Sequence, residues 1–427
     1  MKNEKVILMI VLFTISLHSL AQSKGEKIYK DISYSQFLEQ MIQNNLSYAV
    51  EKYKLPIADA ELYASRMIAD PELNVKWVDN GDKQLKSGYG FEAELGWEIA
   101  LSGKRKARTN LAKNELARTE FEVRAFFEEL RAQATIQYAE AIKNKMIEEI
   151  QSNSYKAMVD LAKSDSLRFQ LGQISKVESI QSNLEAKSMR LEWKNASTEW
   201  FNSLEELKVF LGDSEKHSLY LPKGNLENAT RMFEIETLLE QAPYLRSDYL
   251  AVKQQQLVAE ADVKRAKAER AIDLGLSMGI ESDTFFNDVI VPRPEGTLVT
   301  FGLTIPLKFS NAKNSELKIA KINKEQAHLE NQLALQEMNK EIVQAFRNYN
   351  NRLEQKELFE NEMLEQAKEV LDGRLYSYKR GSSSLLELLE AQRVYNETQQ
   401  NYVETLFESI TALVQLERTV GIWDIEL

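Results

Sequence analysis

Cysteine is absent from all 427 residues. A chain without thiols forms no disulfides and carries no thiol-linked lipid anchor. With only three histidines, His18, His217 and His328, it cannot assemble a Cys/His transition-metal site from its own side chains. Missing as well are HExxH, a phosphate-cradling glycine loop and a nucleophile elbow. Their absence removes the enzyme classes that those motifs serve, and the sequence reads as a non-enzyme with no cofactor and no bound metal. After residue 21 no apolar run approaches the ~20 residues of a membrane-spanning helix. The formal net charge of −11 argues against a nucleic-acid partner.

Glycine and proline are scarce, at 16 and 7 residues, and their gaps are ordered. Neither occurs between Gly103 and Gly172, nor between Gly172 and Gly212. The pattern then returns from Pro306 to Gly373 and from Gly381 to Gly421. Such runs predict long helices, and at about 1.5 Å rise per residue the longer ones reach roughly 100 Å. Each long run follows a segment that alternates like a strand. The chain therefore reads as two internal repeats, residues 22–211 and 244–420, around a connector at 212–243, with a tail at 421–427. Gly373 breaks the symmetry and marks an expected bend.

The first 21 residues read as a secretory signal. Lys2 and Lys5 precede an apolar stretch from Val6 to Leu20, and Ser19-Leu20-Ala21 is a small-x-small cleavage site.

Four segments carry the period of two that marks a strand. They lie at about 72–79, 88–101, 273–281 and 297–307. In the second, Tyr89, Phe91, Ala93, Leu95, Trp97 and Ile99 take one face, and Glu92, Glu94 and Glu98 lie on the other. One aromatic-rich apolar face opposite glycines and carboxylates is the pattern of a transmembrane barrel, with Glu92, Glu94 and Glu98 as lumen candidates. Four strands cannot close a barrel, and lipid does not tolerate open edges. Two chains would give eight strands and three would give twelve. A conduit favours three.

The run after Gly103 carries a narrow apolar stripe, Leu116, Val123, Phe127, Leu130, Ala134, Tyr138 and Ala141, spaced as in coiled-coil packing. Gly172 and Gly381 let each long helix reverse into a hairpin, with the tips there. The two tips match at one constant offset: Phe169 with Tyr378, Ser175 with Ser384, Glu178 with Glu387. Ser175 and Ser384 each begin a Ser-x-x-Glu capping box, which accounts for Glu178 and Glu387 as helix starters. Glu390 follows Glu387 by three residues on the same helical face. In a three-fold bundle these two positions would stack carboxylate rings that favour cations; a solvated helix face accounts for Glu390 equally.

Together these features resemble the TolC-like outer-membrane efflux channel family over essentially the whole mature chain. The resemblance implies a mainly α fold with a β-barrel portion: a homotrimer with a twelve-stranded transmembrane β-barrel, four strands per chain, on a long α-helical periplasmic tunnel. The tip sequence from Tyr378 to Gln392 (YKRGSSSLLELLEAQ) is similar to the family's second hairpin tip. There two aspartates line the periplasmic constriction, and they map onto Glu387 and Glu390. The family's tip latch maps its tyrosine onto Tyr378 and its aspartate onto Glu178, while the arginine position holds Ser383. Trp97 to Arg108 (WEIALSGKRKAR) and Gly302 to Asn311 (GLTIPLKFSN) are similar to the cobalt–zinc–cadmium and copper–silver branch.

The implied function is a passive exit duct in the outer membrane of a Gram-negative cell. It would work with a periplasmic adaptor and an RND-type inner-membrane transporter, in contact with outer-membrane lipid, and export heavy-metal cations. A multidrug or type I secretion channel is the alternative within the family, and a non-conducting periplasmic adaptor the alternative outside it.

Overall fold

The computed structural model describes residues 28–79, 89–215, 218–227, 230–283, 296–307 and 312–427. The proposed signal at 1–21, the turn at Asn80-Gly81, His217, and Pro292 and Pro294 of the second strand-joining loop lie outside the described residues. The chain divides into two compact units. One comprises Val50–Phe127 and Gln241–Lys340; the other comprises the remaining three stretches, through Ala49, Glu128–Glu240 and from Glu341.

The first unit holds a four-stranded antiparallel sheet in the order β2 (Glu72–Asp79), β3 (Tyr89–Ile99), β5 (Leu274–Asp283), β6 (Gly296–Thr304). The register places like on like. Val75, Ala93, Ile280 and Val299 lie in one cross-strand row, and Leu95, Met278 and Phe301 in the next. Apart from the half-buried Ala93, these apolar side chains are exposed, Phe301 at 79%. On the opposite face Asn74, Glu94, Gly279 and Thr300 align, as do Glu98, Gly275 and Thr304. Gly302 faces Ser277 so closely that a Cβ would overlap the Ser277 hydroxyl. Among the described residues, edges β2 and β6 have no second strand partner. Helix α3 (Lys54–Ser65) and the helix α7 (Ser247–Ala268) also lie here.

The second unit is built from long helices. The helix α4 (Lys104–Gln170), which runs through both units, reverses at Gly172 into α5 (Lys176–Leu211). In the second repeat α8 (Ala312–Leu358) passes through one wide π turn, Phe359–Met363, into α9 (Leu364–Lys379), and α10 (Leu385–Val420) returns. Its counterpart in the first repeat, α4, has no such turn and is continuous over 67 residues. The Glu360 carboxylate accepts from the Tyr402 hydroxyl at 2.9 Å, which holds the π turn against α10. Gly373 sits in regular helix with open space where a Cβ would lie, so the departure from α geometry falls ten or more residues ahead of it.

The connector supplies a strand that the sequence pattern did not announce. β4 (Ser218–Lys223) pairs in parallel with β1 (Ile28–Ser33), followed by α1 (Tyr34–Asn44), α2 (Leu46–Lys52) and, after the connector, α6 (Ile235–Leu245). Two fully buried tyrosines, one from each repeat, hold this layer. The Tyr138 hydroxyl lies between the carbonyls of Ile32 at 2.9 Å and Lys223 at 2.7 Å, sharing its one proton with them, and accepts from the Lys223 N–H at 3.0 Å. The Tyr349 hydroxyl accepts from the Arg231 N–H at 2.8 Å and donates to its carbonyl at 2.9 Å. These bonds satisfy backbone groups that burial would otherwise strand. The tail packs here too: Arg231 bridges the buried Glu417 and Asp424, and Arg131 stacks on Trp423 at 4.0 Å. Burial raises the Glu417 carboxyl above its ordinary range. Among the described residues no helix is long and apolar enough to cross a membrane.

Candidate functional site

The hairpin tips gather most of the candidate residues. Gly172 and Gly381 both adopt left-handed φ, 71° and 77°. Each tip closes with one wide backbone bond, Gln173 N–H to Arg168 O at 2.8 Å in the first and Ser382 N–H to Ser377 O at 3.0 Å in the second. A left-handed residue is what lets the last carbonyls of a helix find donors while the chain turns.

The return helices start differently. At α5 the box is complete: Ser175 Oγ accepts from Glu178 N–H at 3.2 Å, and the Glu178 carboxylate accepts from Ser175 N–H at 2.8 Å. Those backbone and hydroxyl bonds hold Glu178 below the usual carboxylate range. At α10 only half the box forms. Ser384 Oγ accepts from Glu387 N–H at 3.3 Å, while the Glu387 carboxylate turns away and accepts from Arg374 at 2.8 Å. Glu178→Ala should therefore fray the start of its helix more than Glu387→Ala does, by about 1 kcal/mol. Amide hydrogen exchange over residues 176–180 and 385–389 checks this, and equal protection losses would refute the difference.

Glu390 pairs with Arg393 at 2.7 Å, and that bond and charge hold its carboxyl below the ordinary range. Both candidate gate carboxylates are solvent-exposed and both carry an arginine. The pairs are exposed ion pairs, weak and screened by salt.

Tyr378 does not meet Glu178, the partner implied by the resemblance. It is 3% exposed, and its hydroxyl donates to Asp165 at 2.9 Å. Asp165, on α4, is 0% exposed. Arg168, one turn on, lies 3.6 Å from the same carboxylate oxygen and 5.0 Å from the Tyr378 ring. Burial, then the bond to Asp165, push the Tyr378 phenol up. The Glu178 carboxylate is engaged by its own cap, and the phenol is taken by Asp165. The two hairpins also share apolar contacts: Leu161 and Leu389 each pack against the cluster of Met158, Ala162, Ala186 and Met189 and against that of Tyr378, Leu385 and Leu388. Further along, Ser154 donates to Asn396 at 2.7 Å in a buried site.

Three residues at the tips escaped the sequence reading: Asp165, Arg168 and Arg374. A signal existed for each. Asp165 and Arg168 have the three-residue spacing of a helical ion pair. Arg374 and Glu387 are nearly equidistant from Gly381, where a hairpin brings flanking residues together. Of the lumen candidates, Glu92 pairs with Lys76 at 3.1 Å. Glu94 and Glu98 share its face of the sheet, away from the apolar rows.

Comparison with known proteins places these features. Residues 235–422 match the family model described as "Outer membrane efflux protein". The cobalt-zinc-cadmium resistance protein CzcC of Cupriavidus metallidurans is 21% identical over 383 residues, covering 88% of this chain and 86% of that one. Among solved structures, CusC superposes with a TM-score of 0.76 at 17% identity, over 95% of this chain and 96% of that one. The Campylobacter jejuni CmeC outer membrane channel gives 0.73 at 17% identity, over 91% and 85%.

Proposed function

We propose, from the match of residues 235–422 to the outer membrane efflux protein family model and the fold shared with CusC and CmeC, that the chain is a member of that family and the passive exit duct of a tripartite pump, assembled from three copies in the outer membrane. It is a channel protein and not an enzyme. The observation that carries the assembly is the four-stranded sheet: its apolar face is exposed, and its edges β2 and β6 are unpaired among the described residues. In lipid such edges must be satisfied by other copies. Three chains supply twelve strands and a lumen lined by the face of Glu92, Glu94 and Glu98; two would supply eight, which side chains fill.

The helical hairpins then lie in the periplasm, with their tips presented to an adaptor and, through it, to an inner-membrane transporter of the RND type. Glu387 and Glu390 line the constriction, with Arg374 and Arg393 setting how much of their charge the passage feels. Tyr378, Asp165 and Arg168 tie one hairpin to the other. Heavy-metal cations are the cargo we favour, on the strength of the CzcC relative.

Planar-bilayer recording tests the duct. The purified chain should conduct with a preference for cations, and Glu387→Ala with Glu390→Ala should reduce the cation-to-anion permeability ratio. Absence of any conductance would overturn the reading, and an unchanged ratio in the double variant would remove these residues from the constriction.

A further inference from the structure

The junction between the strands and the helices of the sheet-bearing unit holds a cavity of about 650 Å³. It lies where β3 gives way to α4 and α7 gives way to β5. Ser102, Gly103, Lys106, Lys264, Lys267 and Ala268 are among its walls. Ser102 and Gly103 are consecutive left-handed residues, with φ of 59° and 73°, and Ser102 is the one non-glycine residue with positive φ among the described residues. They turn the chain away from the strand and leave the space open: nothing lies within 4 Å of where a Gly103 Cβ would be.

The charge here runs against that of the chain. The windows Lys104–Arg108 and Lys264–Asp273 contain eight basic and two acidic residues, in a protein of net charge −11. Both acids are engaged elsewhere: Lys104, itself buried, pairs with Asp273 and with Glu269. The nearby Asp262 is taken by Arg265 at 2.7 Å. Lys106, Lys264 and Lys267 are left exposed, and none makes an ion pair among the described residues. Three unneutralised ammonium groups around one cavity favour an anionic ligand. Beside them, Leu101 and Ile272 are exposed apolar side chains. A cationic pocket with an apolar rim, within a few residues of two membrane-type strands, has the composition of a phospholipid site.

We propose that this cavity binds the headgroup of an anionic phospholipid from the leaflet that meets the helical side of the barrel. The phosphate sits among Lys106, Lys264 and Lys267, and the acyl chains run along Leu101 and Ile272. The inference rests on the reading of β2, β3, β5 and β6 as membrane strands.

Native mass spectrometry of the detergent-purified full chain, titrated with phosphatidylglycerol or phosphatidylcholine, tests it. The wild type should retain phosphatidylglycerol preferentially. Lys106→Gln, Lys264→Gln and Lys267→Gln should each lower that preference roughly fivefold, and raised salt should lower it in the wild type. Equal retention of both lipids by the wild type, or an undiminished preference in the triple variant, overturns the proposal. Displacement of the lipid by millimolar inorganic phosphate would assign the site to free phosphate and overturn it too. Insertion into vesicles is scored separately: a chain that inserts without lipid preference refutes this site alone, whereas one that never inserts refutes the channel reading with it.

Discussion

Gly212→Ala should be among the most damaging single substitutions outside the sheet, lowering the thermal midpoint of the detergent-solubilised protein by on the order of 10 °C. Two effects add. Gly212 ends α5 with a left-handed φ of 63°, which costs an L-residue about 1–2 kcal/mol. A Cβ there would also strike backbone, overlapping the Asn44 carbonyl oxygen and approaching its carbon at 2.9 Å. That carbonyl cannot move aside cheaply. The next residue, Asn45, is buried and donates from its side chain to Phe210 O at 3.1 Å, so α1 is bolted to the end of α5. Forcing this contact adds about 1–3 kcal/mol of overpacking. Gly172→Ala supplies the control. It has a similar φ but open space around it, so only the backbone cost remains. Circular-dichroism melting of both variants decides the matter, and equal shifts would show that the Asn44 contact carries no weight.

Tyr378→Phe should raise the open fraction of the channel about ten- to a hundredfold. The hydroxyl lost is the hydrogen-bond donor to the buried Asp165, whose second carboxylate oxygen already has no partner. Only Arg168, at 3.6 Å, then remains. A hydrogen bond to a charged group contributes about 1.5–3 kcal/mol, and a link between hairpins lends that energy to whichever state keeps them together. The apolar contacts of the tip survive, because Phe fills the same space against Leu385 and Leu388. The expected phenotype is therefore loosened gating in a folded protein. Open probability in planar bilayers measures it. Asp165→Asn keeps an acceptor for the hydroxyl and should fall between wild type and Tyr378→Phe. If both variants gate like the wild type, the link does not hold the tips.

Much of this molecule was legible because its signals are local. Helices without glycine or proline, strands with period two, and serines three residues ahead of glutamates are all patterns within a few turns of chain. Reversal at Gly172 and Gly381 needs only a residue that tolerates positive φ. The family resemblance likewise rested on contiguous stretches such as Trp97 to Arg108. The Ser-x-x-Glu motif shows where local reasoning ends. It occurs at both tips, yet Glu178 closes its box and Glu387 does not, because Arg374 competes for the second carboxylate, whereas the position that matches Arg374 in the first hairpin is Asp165.

The sequence by itself determined the two repeats, the long helices, the turning glycines and the segregation of apolar and acidic faces on the strands. Each follows from backbone sterics and from the spacing of side chains along one element. Tertiary structure alone decided which elements meet. It joined the repeats through β3 and β5, set β4 beside β1 in parallel, placed one π turn in the second long helix, and gave Tyr378 to Asp165 rather than to Glu178. Those outcomes depend on packing between residues that stand as many as 213 positions apart. No periodicity encodes such a pairing, because the burial that makes each bond strong exists only after the helices have come together.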